Sequence, residues 1–180
     1  NELAIPLIKG QKTESEKCAG AEATYSIESM MKDGKALQSG THHFFGSGFP
    51  DSFDIKYLDE ENKLHSAYET SWGLSTRIIG ALIMVHGDDN GLVLPPKIAP
   101  TQIMIIPIAQ HKEGVLDKAN SILSTLKEKG FRVKIDDSDK TPGFKFAQQE
   151  VLGIPLRLEI GPRDIENNKC IVVRRDTCEK

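Results

Sequence analysis

The sequence predicts an α/β protein in two parts, an antiparallel β-rich part followed by a mixed-sheet α/β part. In the first half, apolar and polar residues alternate around a polar turn, as in an antiparallel hairpin. In the second half, apolar runs alternate with stretches of helical periodicity, which is typical of strands joined by helical crossovers. Leu94-Pro95-Pro96 forbids regular structure between them. We therefore expect the boundary within residues 95–101, which gives domains at residues 1–100 and 101–180.

Composition and charge are those of a globular chain without a strong bias. The formal net charge of −3 gives no overall attraction to a polyanion, so nucleic-acid contacts would come from local clusters of Lys and Arg. No window approaches the run of about 18 apolar residues that a membrane span needs, and the first residues do not form a signal peptide. We expect a cytoplasmic protein with no membrane partner. The three cysteines show no CxxC spacing, which argues against a zinc site or a disulfide framework.

The first elements of the chain are the least regular. Residues 3–8 form an apolar run without an initiator Met, and we expect a chain that begins inside a domain. Residues 12–20 are charged and end in Ala-Gly-Ala, which indicates a loop. Ile27, Met30 and Met31 fall at helical spacing before a glycine, which predicts a short helix.

A β-rich stretch follows, beginning with a strand at residues 36–45. Apolar residues alternate with polar ones at residues 53–57 and again at 64–68, which predicts an antiparallel hairpin with a polar turn. Residues 77–86 are apolar almost all round, so we expect a buried helix. Gly87 suits a left-handed cap at its end.

The second part begins with a buried strand at residues 103–108. A helix then runs to Gly130, with one apolar stripe made of Val115, Leu116, Ala119, Ile122, Leu123 and Leu126. Residues 131–135 alternate as a second strand, and Thr141-Pro142 is typical of a helix N-terminus. The apolar residues on one face of that next helix are Phe144, Ala147, Val151 and Leu152. Strands at residues 156–160 and 170–174 complete the sheet.

The most informative stretch is TSWGLSTRIIGALIMVHGDD, at residues 70–89. Gly73 permits close approach to a ligand. Arg77 stands where the predicted helix begins, so a guanidinium and the positive end of a helix dipole converge on one place. Such a place favours a phosphate. The alternative is that Arg77 only pairs with a nearby carboxylate, and spacing alone leaves both readings open.

A metal site is a second possibility near the end of this stretch, where His86, Asp88 and Asp89 cluster. Neighbouring residues rarely all point into one coordination sphere, however, and the acids that follow Gly87 fit an exposed turn. We therefore expect no metal bound by these side chains.

Further blocks accompany residues 70–89, and they are LVLPPKIAP at 92–100, KTESEKCAGAEATYSIESMM at 12–31, ALQSGTHHFFG at 36–46, KTPGFKFAQQE at 140–150, GIPLRLEIGPRD at 153–164 and RRDTCEK at 174–180. In this order they resemble the prolyl-tRNA synthetases, class II aminoacyl-tRNA synthetases, in the form shared by eukaryotes, archaea and some bacteria. Residues 70–100 resemble the third signature motif of that class. The resemblance implies that residues 1–100 are the last part of an α+β catalytic domain and residues 101–180 the first part of an anticodon-binding domain.

The resemblance also implies a reaction. Proline would be attached to its tRNA with ATP through a prolyl-adenylate, and the segment alone would be inactive. Arg77 would be the catalytic residue, holding the terminal phosphate. The ATP-binding residues would be Gln38, Thr41 and Arg77. The proline-binding residues would be His43, Trp72, Gly73 and Ser75. Magnesium would be held through the ATP phosphates, and the complete enzyme would be a homodimer.

The chemistry of these residue types agrees with the implied roles. Gln and Thr can hydrogen-bond adenosine or phosphate groups, and Trp offers an apolar wall for a pyrrolidine ring. Catalysis would come from aligning the reactants and compensating phosphate charge, so a fixed Arg matters more than a general base. Three residues depart from the family pattern, namely Cys18, His42 and Cys178, and none of them is a proposed ligand.

The second part supplies the expected contacts to tRNA. The candidates are Lys140, Phe144, Lys145, Arg157 and Arg163, with Arg174 and Arg175 as further cations. Phe144 has a core-facing alternative, because it belongs to the apolar face of its helix. Two other functions stay open at this point. One is a non-catalytic tRNA-binding or regulatory relative, and the other is another class II synthetase, such as the threonyl enzyme.

Overall fold

The computed structural model of the chain describes residues 2–180 and shows two compact units. The N-terminal unit is Ile5–Val85, and the C-terminal unit consists of residues 2–4 together with His86–Lys180. Residues 86–100 thus fold with the second sheet. The expected domain boundary within residues 95–101 stays a prediction, because the limits of a compact unit need not coincide with those of a domain. No helix in the described part of the chain is long and apolar enough to cross a membrane.

The first half of the chain contains an antiparallel sheet and a separate hairpin. Its elements are β1 (Leu7–Gln11), β2 (Ala23–Met30), β3 (Ala36–Gly46), α1 (Gly48–Ser52), β4 (Lys56–Leu58), β5 (Leu64–Ser66), β6 (Glu69–Gly73) and α2 (Arg77–His86). The sheet has the order β1-β2-β3-β6 with every pair antiparallel, and β4 pairs with β5 alone. The antiparallel first part predicted from the sequence is confirmed.

The turn of the β4–β5 hairpin is stabilised by an acidic side chain, which explains why the chain reverses its direction there. The Asp59 carboxylate accepts hydrogen bonds from the backbone N–H groups of Glu61, at 2.9 Å, and Lys63, at 2.8 Å. An acidic side chain that binds the backbone a few residues ahead stabilises a tight turn. The predicted hairpin is confirmed, although its paired strands are shorter than the alternating stretches.

The helix predicted around residues 27–31 is wrong, because the chain there is strand β2. The strand pairs with β1 on one side and with β3 on the other. Its buried positions are held by hydroxyl residues, Thr24, Ser26 and Ser29. Thr24 and Ser26 follow a period of two, and Ser29 is buried on the opposite face, but hydroxyl residues are invisible to a search for apolar periodicity.

Helix α2 has the predicted bounds but not the predicted burial. Only Ala81 and Leu82 are buried along it, while Ile79, Ile83 and Met84 are about half exposed. The expectation of a buried helix is therefore wrong for this chain. The all-round apolar sequence leaves an apolar surface on the helix.

The C-terminal unit contains a mixed sheet covered by helices. Its elements are β7 (Ile103–Pro107), α3 (Val115–Glu128), β8 (Val133–Ile135), α4 (Pro142–Leu152), β9 (Leu156–Ile160), α5 (Pro162–Glu166) and β10 (Ile171–Arg174). The order is β10-β9-β7-β8, in which β7 runs parallel to β8 and β9 while β10 runs antiparallel to β9. The predicted mixed sheet is confirmed, and α5 was not predicted.

Strand β7 lies at the centre of this unit and is buried on both faces. Ile103 and Ile105 pack with Ala119 of α3 on one side. Met104 and Ile106 pack with other residues of the unit on the opposite side. A strand buried on both faces reads as a continuous apolar run, which is why its prediction was straightforward.

Helix α4 begins as predicted but buries a different face. The Thr141 hydroxyl accepts a hydrogen bond from the backbone N–H of Phe144, as an N-cap should. The residues that the helix buries are Lys145 and Gln149, whereas the predicted apolar face is exposed. The assignment of that face is wrong, because the buried positions carry polar side chains, and Lys145 donates from there to the Asp136 carbonyl.

A segment that we call the strap, residues 88–94, lies against the end of α4. The N–H of Leu92 donates to the Val151 carbonyl at 3.1 Å, and the N–H of Leu94 donates to the Gly153 carbonyl at 3.2 Å. The approach is so close that a Cβ added at Gly91 would lie 2.5 Å from Val151 Cα. A Cβ added at Gly153 would lie 2.6 Å from the Leu92 backbone.

Candidate functional site

Strand alternation gives the N-terminal sheet two chemically different faces. Cross-strand partners share a face, and successive residues alternate between faces. The polar face carries the partners of Thr41 and His43, and its members are Thr24, Ser26, Glu28, Gln38, Thr41, His43, Ser71 and Gly73. The aromatic face carries Tyr25, His42 and Trp72, which oppose one another on neighbouring strands.

Two cations converge on Gln38 at one end of the polar face. The Arg77 guanidinium donates to the Gln38 backbone carbonyl at 3.4 Å, and the Lys12 ammonium donates to the Gln38 side-chain oxygen at 2.8 Å. Within residues 2–180, no ion pair joins Arg77 to a carboxylate. The alternative that Arg77 only forms a salt bridge therefore has no support. Sequence reasoning missed Lys12, whose only signal was its place at the start of a family-like block.

His43 has a fixed partner on the polar face. Its Nδ1 lies 3.0 Å from the hydroxyl of buried Thr24, which holds the ring in one orientation. Thr41 is the next residue on the same face, and Gly73 stands opposite it. A Cβ at Gly73 would lie 3.1 Å from the Thr41 hydroxyl, so the glycine keeps the space above Thr41 open. The structure therefore brings together Gln38, Thr41, His43 and Gly73.

Trp72 does not belong to this group. It lies on the aromatic face, 75% exposed, and its ring stacks on His42 with centroids 4.0 Å apart and planes 11° from parallel. The two adjacent residues Ser71 and Gly73 face the other way. The Trp72 side chain thus points away from that of His43, although Trp72 lines one cleft with Thr41 and Gly73, and its place in the proline pocket stays a prediction.

Ser75 lies beyond the end of β6. Its hydroxyl accepts a hydrogen bond from the backbone N–H of Arg77, at 3.3 Å, and the side chain is exposed. This contact orders the first turn of α2 and thereby the base of the Arg77 side chain. Ser75 thus contacts Arg77 rather than His43.

The larger cleft of this unit is on the aromatic face. It measures about 630 Å³ and is lined by Tyr25, His42, Trp72 and Leu74, together with Ser26, Thr41 and Gly73 of the polar face. A smaller cleft of about 250 Å³ lies beside Lys12, Ser26 and Glu28 of the polar face. The larger of these two clefts is therefore not the one beside the cations that contact Gln38. We favour the polar face for ligand chemistry, because Lys12 and Arg77 both donate to Gln38 there.

His86 and Asp88 are occupied by partners in the C-terminal unit. His86 Nε2 lies 2.8 Å from the Leu3 carbonyl oxygen. Both carboxylate oxygens of Asp88 accept hydrogen bonds from the Arg175 guanidinium, at 2.6 and 2.8 Å. This bidentate contact holds the pKa of the Asp88 carboxyl well below its usual range, with help from the backbone N–H groups of Asn90 and Gly91. These contacts give the two side chains structural roles.

The candidate RNA contacts fall into an exposed pair and a buried pair. Phe144 is 52% exposed, and the Lys140 ammonium lies 5.6 Å from the centre of its ring. The core-facing alternative for Phe144 is therefore not the one that the fold adopts. Both side chains stand at the start of α4, where a nucleic-acid strand has access to them.

Lys145 and Arg157 are buried instead. The Lys145 side chain is 3% exposed, and its ammonium donates to the Asp136 carbonyl at 2.8 Å and to Gln110 at 3.4 Å. The Arg157 guanidinium lies 4.2 Å from the Phe146 ring centre and pairs with Glu150 and Glu159, at 3.1 and 2.9 Å. Their cations are used inside the protein, which disfavours a simple phosphate contact for either residue.

The remaining cations differ in the same way. Arg163 is exposed on α5. Arg174 forms an exposed ion pair with Asp176 at 2.6 Å, whereas Arg175 is buried beneath the strap. Of the predicted RNA contacts, Lys140, Phe144, Arg163 and Arg174 are exposed, and Arg174 is already paired with Asp176.

Comparison with known proteins covers both units. Residues 102–180 match the family model described as an anticodon binding domain. The proline-tRNA ligase of Agathobacter rectalis is 68% identical over 178 residues, which is 99% of this chain and 37% of the relative. That of Ruminiclostridium cellulolyticum is 65% identical over 180 residues, again 37% of the relative.

A solved structure agrees with these sequence relatives. The prolyl-tRNA synthetase of Cryptosporidium parvum, crystallised with L-proline and AMP, is 47% identical and superimposes with a TM-score of 0.91. The match covers 98% of this chain and 39% of that one. The chain thus spans a little over a third of the length of the proteins that it matches.

Proposed function

The chain belongs to the proline-tRNA ligase family over its whole length, and from that premise we propose that the complete protein attaches proline to its tRNA in an ATP-dependent reaction. The observation that carries the proposal is the polar face of the N-terminal sheet. There, hydrogen-bonding side chains and two cations converge around Gln38. That residues 1–100 are catalytic and residues 101–180 bind the anticodon is part of the same proposal.

ATP occupies the end of the polar face in this proposal. Arg77 binds the terminal phosphate, since its guanidinium can present two donors to phosphate oxygens at the start of a helix. Gln38 and Thr41 hydrogen-bond the nucleotide, and Lys12 adds a second cation within reach of Gln38. Magnesium is held through the phosphates rather than by a protein cage. The AMP in the Cryptosporidium relative supports an adenine nucleotide here.

Proline lies beside His43 in this proposal. The ring is oriented by Thr24, and Gly73 leaves room above Thr41 for a small substrate. Trp72 borders the site through the cleft that it shares with Gly73, and Ser75 acts through the position of Arg77. The L-proline in the Cryptosporidium relative supports this substrate.

The chemistry needs little covalent work from the protein. The carboxylate oxygen of proline attacks the α-phosphorus of ATP, which forms prolyl-adenylate and releases pyrophosphate. The prolyl group then passes to the tRNA, and AMP leaves. Protein residues align the reactants and offset the charge that collects on the phosphates, which together lower the barrier without a general base.

The C-terminal unit binds the anticodon region of proline tRNA in this proposal. Its match to an anticodon-binding family supports the partner, and Lys140, Phe144 and Arg163 are the accessible contacts. We further infer that the complete protein is a cytoplasmic homodimer, as implied by the family resemblance.

Exchange of radioactive pyrophosphate into ATP tests the activity directly. With the complete protein we expect exchange that depends on proline and is absent with threonine. Exchange with threonine instead would favour another class II synthetase. No exchange with any amino acid, combined with tRNA binding, would favour a non-catalytic relative.

A further inference from the structure

A β-bulge turns the Gln38 side chain onto the polar face of the N-terminal sheet. The extra residue is Ser39, which has no partner of its own in the ladder between β2 and β3. Its hydroxyl shares a hydrogen bond with the hydroxyl of Ser29, and both side chains are buried. On a regular strand Gln38 and Thr41 would point to opposite faces, because they are three residues apart. The bulge therefore sets the direction in which Gln38 leaves the sheet.

The Lys12 side chain fixes the orientation of the Gln38 amide. Its ammonium donates to the Gln38 side-chain oxygen Oε1 at 2.8 Å. An ammonium has three N–H donors and no acceptor, so the amide atom that faces it must be the oxygen. The amide nitrogen Nε2 consequently points away from Lys12, and it is the end of the group that can donate to a ligand.

Lys12 is itself held in place and is not neutralised by a carboxylate. It follows β1 directly, and its backbone N–H donates to the Thr24 carbonyl at 2.8 Å. Glu28 lies opposite Gln38 on β2, yet within residues 2–180 no carboxylate forms an ion pair with the Lys12 ammonium. The contact with Gln38 is a charge-assisted hydrogen bond, which is stronger than one between neutral groups. The half-buried Lys12 side chain can therefore hold the amide in one orientation.

We propose that Lys12 is a positioning residue for the nucleotide and that it acts through Gln38. With its amide oxygen occupied by Lys12, Gln38 presents only N–H donors, so it binds an acceptor atom of the nucleotide, such as a ribose or phosphate oxygen. Without Lys12 the amide rotates freely and also presents its oxygen, which repels such an atom. The role of Lys12 rests on the proposed ATP site, to which it adds the direction of one hydrogen bond and the residue that sets it.

The first experiment measures proline-dependent pyrophosphate exchange by the complete protein, with ATP varied at saturating proline and proline varied at saturating ATP. Lys12→Met removes the ammonium but keeps an unbranched side chain. It is expected to raise the KM for ATP about tenfold, because an oriented hydrogen bond is lost, and to leave the KM for proline within about twofold of wild type. Lys12→Arg keeps a charged donor and should recover most of the affinity for ATP.

Lys35→Met is the matched control, because it removes the same charge from the turn between β2 and β3. Lys35 is exposed and pairs only loosely with Asp33, at 3.4 Å, so both KM values and the melting temperature should stay at their wild-type values. An equal rise in the KM for ATP in Lys35→Met and Lys12→Met would make net charge the cause and overturn the positioning role. A lower melting temperature of Lys12→Met, with both of its KM values raised equally, would make Lys12 structural and also overturn it.

The second experiment tests the direction of the hydrogen bond at Gln38. Gln38→Glu keeps an oxygen for Lys12 but has no N–H group when ionised, so it cannot donate to the nucleotide. The KM for ATP should therefore rise at least as much in Gln38→Glu as in Gln38→Ala. A KM for ATP close to wild type in Gln38→Glu would show that Gln38 is not a donor and would overturn the proposal.

A double-mutant cycle shows whether Lys12 acts through Gln38. In the Gln38→Ala protein, Lys12→Met should add little to the KM for ATP, because the contact that it removes is already absent. Additive effects would mean that Lys12 acts on the nucleotide directly, which overturns the positioning role. A wild-type protein without proline-dependent exchange would overturn the proposed function itself. Normal exchange by wild type, with an unchanged KM for ATP in Lys12→Met, would overturn only the role of Lys12.

Discussion

The two units use polar residues in opposite ways. In the N-terminal unit, polar side chains gather on one face of an antiparallel sheet, and the aromatic side chains gather on the other face. In the C-terminal unit, polar side chains such as Lys145 and Arg157 are buried around a sheet that is covered on both sides. A polar residue in the first unit therefore points to ligand chemistry, while one in the second is more often part of the architecture. The predictions below test this difference, beginning with the largest effect.

The largest effect is expected at Arg77, the cation of the polar face. Arg77→Lys keeps one charge but loses the planar fork that grips phosphate oxygens, so adenylate formation should slow about a hundredfold, or about 3 kcal/mol. Stopped-flow measurement of activation by the complete protein gives the rate. Arg163→Lys, in the other unit, is the matched control and should activate proline normally. Normal activation by Arg77→Lys would reduce Arg77 to a helix-start residue.

The next effect concerns the backbone contact between the strap and α4. Gly153 has a φ of 67° and no room for a Cβ beside Leu92, so Gly153→Ala should destabilise the C-terminal unit by about 2 kcal/mol. Gly143→Ala, in the same helix but in open space, should instead stabilise it slightly. The single tryptophan, Trp72, reports on the N-terminal unit, and circular dichroism reports on both units.

Urea titrations with both probes locate the effect of Gly153→Ala. The fluorescence transition should stay where it is in wild type, while the circular dichroism signal should lose part of its amplitude at lower urea. A shift of equal size in both signals would show that the two units unfold together and would break the comparison.

A matched pair of adjacent histidines tests the two faces of the N-terminal sheet. His43→Ala removes a hydrogen-bonding group beside the proposed proline site and should raise the KM for proline about tenfold. His42→Ala removes a ring that stacks on Trp72 on the opposite face, and the KM should stay within about twofold of wild type. Steady-state pyrophosphate exchange gives the KM for proline of each variant. A larger effect from His42→Ala would move the site to the aromatic face.

The smallest effect is expected at the Asp88–Arg175 pair. The folded-state pKa of Asp88 lies below its unfolded value of 3.8, so the stability it supplies is present above that value and is lost as the pH falls below it. The difference in urea midpoint between wild type and Asp88→Asn should therefore be larger at pH 7 than at pH 3. Asp176→Asn breaks the exposed pair with Arg174 and should matter less. The same difference at both pH values would exclude the ion pair as its cause.

Much of the fold could be predicted because its signals were apolar. Strand β7 is a continuous apolar run, and α3 carries one stripe between two glycines, so both follow from periodicity alone. Strand β2 and the buried face of α4 could not be found that way, since Ser, Thr, Lys and Gln occupy their buried positions. Partners from other segments stabilise several of these side chains, as His43 does for Thr24 and the Asp136 carbonyl does for Lys145, and such partners are not visible in the local sequence.

The candidate site shows the same division between local and distant information. The residues Gln38, Thr41 and His43 lie on one strand, so their shared face follows from their spacing once the bulge in the ladder is known. Lys12 lies in a loop 26 residues before Gln38, so the contact between them is visible only in the folded structure. The face on which Trp72 lies could not be predicted from the motif, because membership of a motif says nothing about the face on which a strand residue lies.

The two edge strands of the N-terminal sheet affect how readily this unit associates with itself in solution. Within residues 2–180, β1 and β6 each pair on one side only, which leaves a row of backbone donors and acceptors along each outer edge. Strand β1 carries Lys9, a residue that discourages a second strand from adding there, whereas β6 carries no lysine and presents Trp72. Self-association at high concentration is therefore expected to begin at β6. A lysine introduced on that strand should raise the protein concentration at which association begins.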